Sequence, residues 1–150
     1  PLPVFNRRDP AVQARIRGAI REALEDEMMV LFFPSGVISG RGPRGRLEDP
    51  PWKAGALHAA RDAGAPILPI RLDAKNSPLF YRVRSLRRIG ESLSWTLLFR
   101  EYLGHQGAAY PIRVGARIPV ADLRPGVDLD RSELDALVGM VRRRTEELVP

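Results

Sequence analysis

The chemical resources of this 150-residue chain are two histidines, no cysteine, and a loop dense in glycine and arginine. His58 and Asp62 stand four apart on a stretch with helical periodicity, a spacing at which a carboxylate can orient an imidazole for acid–base work. Their neighbours Ala59, Ala60 and Ala63, and their distance from the glycine-rich loop, favour the plainer reading of an exposed helix pair. His105 sits in Gly104-His105-Gln106-Gly107, which reads as an exposed turn. The lack of thiols excludes a cysteine nucleophile, a disulfide framework and cysteine-ligated zinc or iron–sulfur centres.

The loop over 35–51 offers phosphate-binding chemistry. Gly40-x-Gly42-x-x-Gly45 has dinucleotide-fingerprint spacing, but that fingerprint needs its glycines in a tight turn between a strand and a helix. Here Pro43 and Arg44 interrupt the pattern, and Asp49-Pro50-Pro51 delays the next helix. No Gly-Lys-Ser or Gly-Lys-Thr exists for a phosphate loop, and Gly36-Val37-Ile38-Ser39-Gly40 has one residue too many for a nucleophile elbow. What remains is a cluster: Arg41, Arg44 and Arg46, the backbone N–H groups of Ser35, Gly36 and Gly40, and the hydroxyls of Ser35 and Ser39. Together these can hold a phosphate or carboxylate. The alternative is a solvated basic surface loop.

The elements that must position this loop follow from periodicity. Asp9 and Pro10 have the types of an N-cap and first helical residue, and Val12, Ile16, Ala19, Ile20, Ala23 and Leu24 recur on one helical face. Met28 to Phe33 is apolar at every position and stopped by Pro34, the pattern of a strand buried on both faces of a parallel sheet. A helix over 52–63 closed by Gly64 and a second buried strand over 67–72 come next. A helical stretch over 78–103 follows, broken near Gly90, then a strand over 111–115. Asp130 and Glu133 have capping-box spacing at the head of a last helix. Leu2-Pro3-Val4-Phe5 resembles the end of a strand. The alternation predicts one α/β domain over 1–150 with a mostly parallel sheet flanked by helices, and the opening strand end reads as one whose beginning lies upstream, leaving the domain incomplete at its N-terminus.

Composition narrows the partners. Lys plus Arg number 24 against 18 Asp plus Glu, so 24 − 18 = +6, and Lys53 and Lys75 are the only lysines. Arginine suits bidentate contact with phosphate and carboxylate. Nucleic acid, anionic lipid headgroups and a phosphorylated substrate all fit, as does a merely solvated surface. No apolar run approaches the roughly 18–20 residues of a membrane span, and no signal peptide is visible. The chain starts with Pro1, which suggests a processed product or a fragment.

Four blocks then resemble the lysophospholipid acyltransferase family. They are Phe33-Pro34-Ser35-Gly36-Val37-Ile38-Ser39, Trp52-x-x-Gly55, Gly64-Ala65-Pro66-Ile67-Leu68-Pro69-Ile70, and Asp73-x-x-Asn76-Ser77-x-Leu79-Phe80-Tyr81. They stand in family order and look like the later part of the domain, nearest its bacterial branch of hemolysin-like and ornithine-lipid acyltransferases. The resemblance implies transfer of a fatty acyl group from an acyl carrier protein or coenzyme A thioester to a lysolipid-like hydroxyl in membrane lipid synthesis. It implies no bound cofactor or metal, the thioester being a co-substrate. By position, Pro34, Ser35, Gly36, Ser39 and Arg41 would line the acceptor site, and Pro69 would belong to a structural block. Two departures stand out: Val37 occupies a position where this branch usually has glutamate, and no histidine precedes Phe33. The family's base is a histidine with an aspartate five residues later, ahead of the Phe-Pro block. This chain is therefore expected to lack catalytic residues and to be inactive alone, as the carboxyl-terminal part of a cytoplasmic enzyme peripheral to the inner membrane face. Leu79, Phe80, Val83 and Leu86 beside arginines are the candidate contact with an anionic membrane, or else core. A non-catalytic basic module for nucleic acid or protein is the rival; no nucleic-acid signature appears, so nucleic acid is not expected.

Overall fold

The computed structural model describes residues 9–42, 45–84 and 90–149. Leu2–Phe5, Pro43, Arg44, Leu86, Arg87 and Arg88 lie outside them. Helix α1 (Pro10–Glu25) opens as its residue types dictate, with the Asp9 carboxylate accepting from the Ala11 N–H at 2.9 Å and Pro10 in the first turn. Strands β1 (Gly40–Arg41) and β2 (Leu47–Glu48) form a small hairpin, followed by α2 (Gly55–Asp62) and β3 (Ile70–Leu72). Helices α3 (Pro78–Arg84) and α4 (Gly90–Gly104) then lead to β4 (Ile112–Val114), a 3₁₀ turn over Val120–Leu123, and α5 (Arg131–Glu146).

The result is a mixed α/β chain, and its sheet corrects the expected topology. Among the described residues both strand pairs are antiparallel: β1 with β2, and β3 with β4 in the register Ile70↔Val114, Arg71↔Arg113, Leu72↔Ile112. Ile67 and Ile118 add one further antiparallel bridge. The segment from 73 to 111 therefore joins the antiparallel partners β3 and β4 and carries α3 and α4, and among the described residues no right-handed parallel crossover is formed.

Met28 to Phe33 is the second correction. It forms no strand among the described residues, and Met29 and Phe33 are 82% and 72% exposed. An unbroken apolar run expresses a demand for cover on both faces, but it does not encode the neighbouring strands that would supply the cover. The apolar stripe of α1 is similarly open, with Ile16 44% exposed.

The core lies on the other side of the chain. Leu57 and Ala60 of α2 pack with Ile118 and Leu123, and α5 lays Leu134, Leu137, Val138 and Val141 against them. Helix α5 is set by the expected capping box. The Asp130 carboxylate accepts from the Glu133 N–H at 2.8 Å, and Glu133 accepts from the Asp130 N–H at 3.1 Å. Helix α3 buries Phe80 completely and Tyr81 nearly so, ring edge to ring face. Phe80 is thus core, and the expected membrane stripe of Leu79, Phe80 and Val83 is not one surface.

Candidate functional site

The five residues singled out from sequence fall on one continuous loop. Phe33 to Gly36 is a β-turn closed by the Gly36 N–H donating to the Phe33 carbonyl at 2.9 Å, with Pro34 and Ser35 at its centre. Pro34 presets φ at the second position, and Gly36 adopts φ +65°, a conformation that glycine enters without a Cβ penalty. The Lys53 N–H donates to the Pro34 carbonyl at 3.0 Å, tying the turn to the approach of α2. Ser35 is buried, and its hydroxyl donates to the Val37 carbonyl at 2.8 Å.

From Ile38 the chain runs into the hairpin. The Arg84 guanidinium donates to the Ile38 carbonyl at 3.0 Å, and the Ser39 hydroxyl donates to the Asp49 carboxylate. The Trp52 indole reaches the other oxygen of Asp49 at 3.4 Å, while Arg142 of α5 donates to the Asp49 carbonyl at 3.3 Å. Asp49 thereby joins the hairpin, α2 and α5. Gly42 lies against the Glu48 carboxylate, where a side chain would collide with it.

Arg41 is exposed and donates through Nη1 to the Gly45 carbonyl at 3.0 Å. This bond holds the guanidinium across the hairpin and leaves Nε and Nη2 without a partner among the described residues. Both serine protons are committed within the loop. The Gly36 N–H is likewise spent on the turn, so an anion here would be received by Arg41 and the exposed Arg46 rather than by the hydroxyls.

A second cluster was not apparent from sequence. Glu101 of α4 accepts from both the Ser77 N–H at 2.7 Å and the Ser77 hydroxyl at 2.6 Å, and His105 Nε2 lies 3.5 Å from the same carboxylate. The hydrogen bond from the Ser77 hydroxyl, followed by those from the Ser77 N–H and the His105 imidazole, holds the Glu101 carboxyl below the ordinary carboxylate range. Ser77, Leu79, Arg100, Glu101, Gly104 and His105 line an open hollow of about 310 Å³. His105 is in a turn, as expected, and half-exposed. The only sequence signal for the pair is the i, i+4 spacing of Glu101 and His105.

His58 and Asp62 make no mutual hydrogen bond. They border another open hollow, about 400 Å³, with Arg61 and the 126–129 turn. Arg61 spends Nη2 on the Arg124 and Val127 carbonyls at 3.0 and 2.5 Å, so this face serves to clamp the 124–127 turn. Among the described residues no group of three His, Asp or Glu side chains is placed to hold a metal ion.

Comparison with known families bears on this geometry. A family model described as Acyltransferase matches residues 2–148. The chain belongs to the acyltransferase family. No curated protein and no solved structure matched it. Membership makes acyl transfer the general chemistry, and this acyltransferase chain carries the whole Phe33–Arg41 loop within the matched region. Among its described residues no helix is long and apolar enough to cross a membrane.

Proposed function

We propose that this acyltransferase chain serves transfer of a fatty acyl group from an acyl carrier protein or coenzyme A thioester to the hydroxyl of a lysolipid-like acceptor, at the inner face of a membrane. The observation that carries the reading is the Arg41 guanidinium pinned across the hairpin that follows the Pro34–Gly36 turn in the chain, inside a sequence matched to the family over nearly its full length. A planar guanidinium whose Nε and Nη2 have no partner among the described residues suits a lipid phosphate or carboxylate.

The chemistry needs a base to take the acceptor proton as the oxygen attacks the thioester carbonyl, after which the thiolate leaves. Neither His58 nor His105 has an aspartate five residues later, since Ala63 and Tyr110 stand there. The role assigned to Pro34, Ser35, Gly36, Ser39 and Arg41 is therefore acceptor binding, and the general base is not one of these residues. A non-catalytic basic module is the competing reading, and binding measurements separate the two.

The test is titration of the chain with a short-chain, water-soluble lysophospholipid. Arg41→Ala is expected to weaken binding by about tenfold or more, the scale of a charged hydrogen-bond pair, without moving the thermal midpoint. Unchanged affinity in Arg41→Ala would overturn the acceptor site. Thioester turnover by this chain that is lost in His105→Ala would instead place the base in the turn after α4.

A further inference from the structure

Over 96–103, helix α4 is apolar on both sides, and among these described residues one side is covered. Leu97, Leu98 and Glu101 are half-buried towards the rest of the chain. Tyr102, Phe99, Leu103, Thr96 and Arg100 occupy the complementary arc, roughly 160° wide at 3.6 residues per turn, and all five are exposed. Three of them are large: Phe99 is 65%, Tyr102 71% and Leu103 48% exposed. Leu79 of α3, 46% exposed, shares the open hollow with Arg100, and the exposed Arg82 lies one turn along α3 from Leu79.

We propose that this α4 surface docks on an anionic lipid bilayer, with Phe99, Tyr102 and Leu103 entering the headgroup–acyl boundary and Arg100, at the edge of their arc, pairing with lipid phosphates. Phenylalanine, leucine and tyrosine on one arc with arginine at its edge have the composition of an interfacial helix, where the apolar face sinks a few ångströms and cations stay at phosphate level. The charge favours this occupant over a neutral membrane or an apolar protein groove. Arg100 borders the patch, the chain carries +6 overall, and the cytoplasmic leaflet is negative. The inference rests on the reading of the acceptor as a lipid, and it specifies the surface that would bring the chain to that lipid.

Vesicle flotation tests it, with phosphatidylcholine alone and with phosphatidylcholine containing phosphatidylglycerol. The chain is expected to float with the anionic vesicles, to release as salt rises, and not to float with the neutral ones. Arg100→Gln should weaken binding by about fivefold, the effect of one basic residue near an anionic surface. The pair F99S and L103S should weaken it by more than tenfold, with an unchanged thermal midpoint because both sites are exposed. Binding of the paired variant equal to that of the parent overturns the proposal. So does failure of the parent to float, or salt-sensitive binding to duplex DNA in its place. Loss of soluble lysolipid binding with vesicle binding retained would strike the acceptor reading alone. The reverse pattern would strike the docking surface alone.

Discussion

Arg71 and Arg113 stand directly opposite each other across the antiparallel pair β3–β4, and Asp73 accepts hydrogen bonds from both. Two like charges at facing positions repel. A carboxylate between them turns the repulsion into a three-centre attraction. Arg71 also donates through Nη1 to the Glu146 carbonyl at 2.8 Å, so the cluster fastens the end of α5 to the sheet. Asp73→Asn would leave the two guanidiniums opposed without their counter-charge. It is expected to lower the thermal midpoint by about 2–4 °C in a chain of this size, and Arg113→Gln in the same background should restore part of the loss. Circular dichroism melts of the four members of that cycle provide the check.

The acid limb of stability follows from three carboxyls. Asp73 is held below its ordinary range first by Arg71 and then by Arg113. Glu101 is lowered first by the Ser77 hydroxyl, and Glu133 first by the Arg124 guanidinium. A group whose pKa is depressed on folding contributes stability that is fully present above its unfolded value. That contribution is lost as the pH falls through the folded value. Stability from these groups should thus be flat from neutrality to about pH 5 and decline below about pH 4. Urea melts across that range should show the decline, and Asp73→Asn should make it shallower; an equally steep acid limb in the variant would remove Asp73 from the account.

Glu101 caps the start of α3 by accepting from both donors of Ser77. Glu101→Ala leaves a half-buried N–H and hydroxyl without that acceptor, at an expected cost of about 1–3 kcal/mol. Glu101→Gln keeps one acceptor oxygen and should cost less. Denaturant midpoints of the two variants, compared at constant slope, give the ordering.

Two glycines should respond with opposite signs. Gly18 sits exposed in mid-helix with open space where a Cβ would be, so Gly18→Ala should stabilise by about 0.5–1 kcal/mol. Gly64 also has room, but its φ of +60° ends α2 in a left-handed residue. Gly64→Ala should therefore destabilise by about 1 kcal/mol. Chemical denaturation of both tests whether backbone conformation, rather than space, sets the sign.

Helix ends were legible because their determinants are local. Asp9 with Pro10, Asp130 with Glu133, and Gly64 act over a few residues, and the structure places the helix boundaries beside them. The candidate loop was legible as a unit for the same reason: Pro34, Ser35, Gly36, Ser39 and Arg41 are near in sequence, on a turn that runs into a hairpin. What those groups bond to was not legible. Ser39 reaches Asp49, Arg84 reaches Ile38, and Ser77 reaches Glu101 across sequence separations that no spacing rule anticipates.

Strand partnership lay wholly with the tertiary structure. The runs 67–72 and 111–115 each announce a strand, yet nothing in either says that they pair with each other, or that they pair antiparallel. Met28–Phe33 makes the same point in reverse, being the most apolar run of the chain and unpaired among the described residues. Periodicity and caps are properties of a segment and can be read from it. The cover a segment receives is a property of its neighbours in space, which only the folded chain supplies.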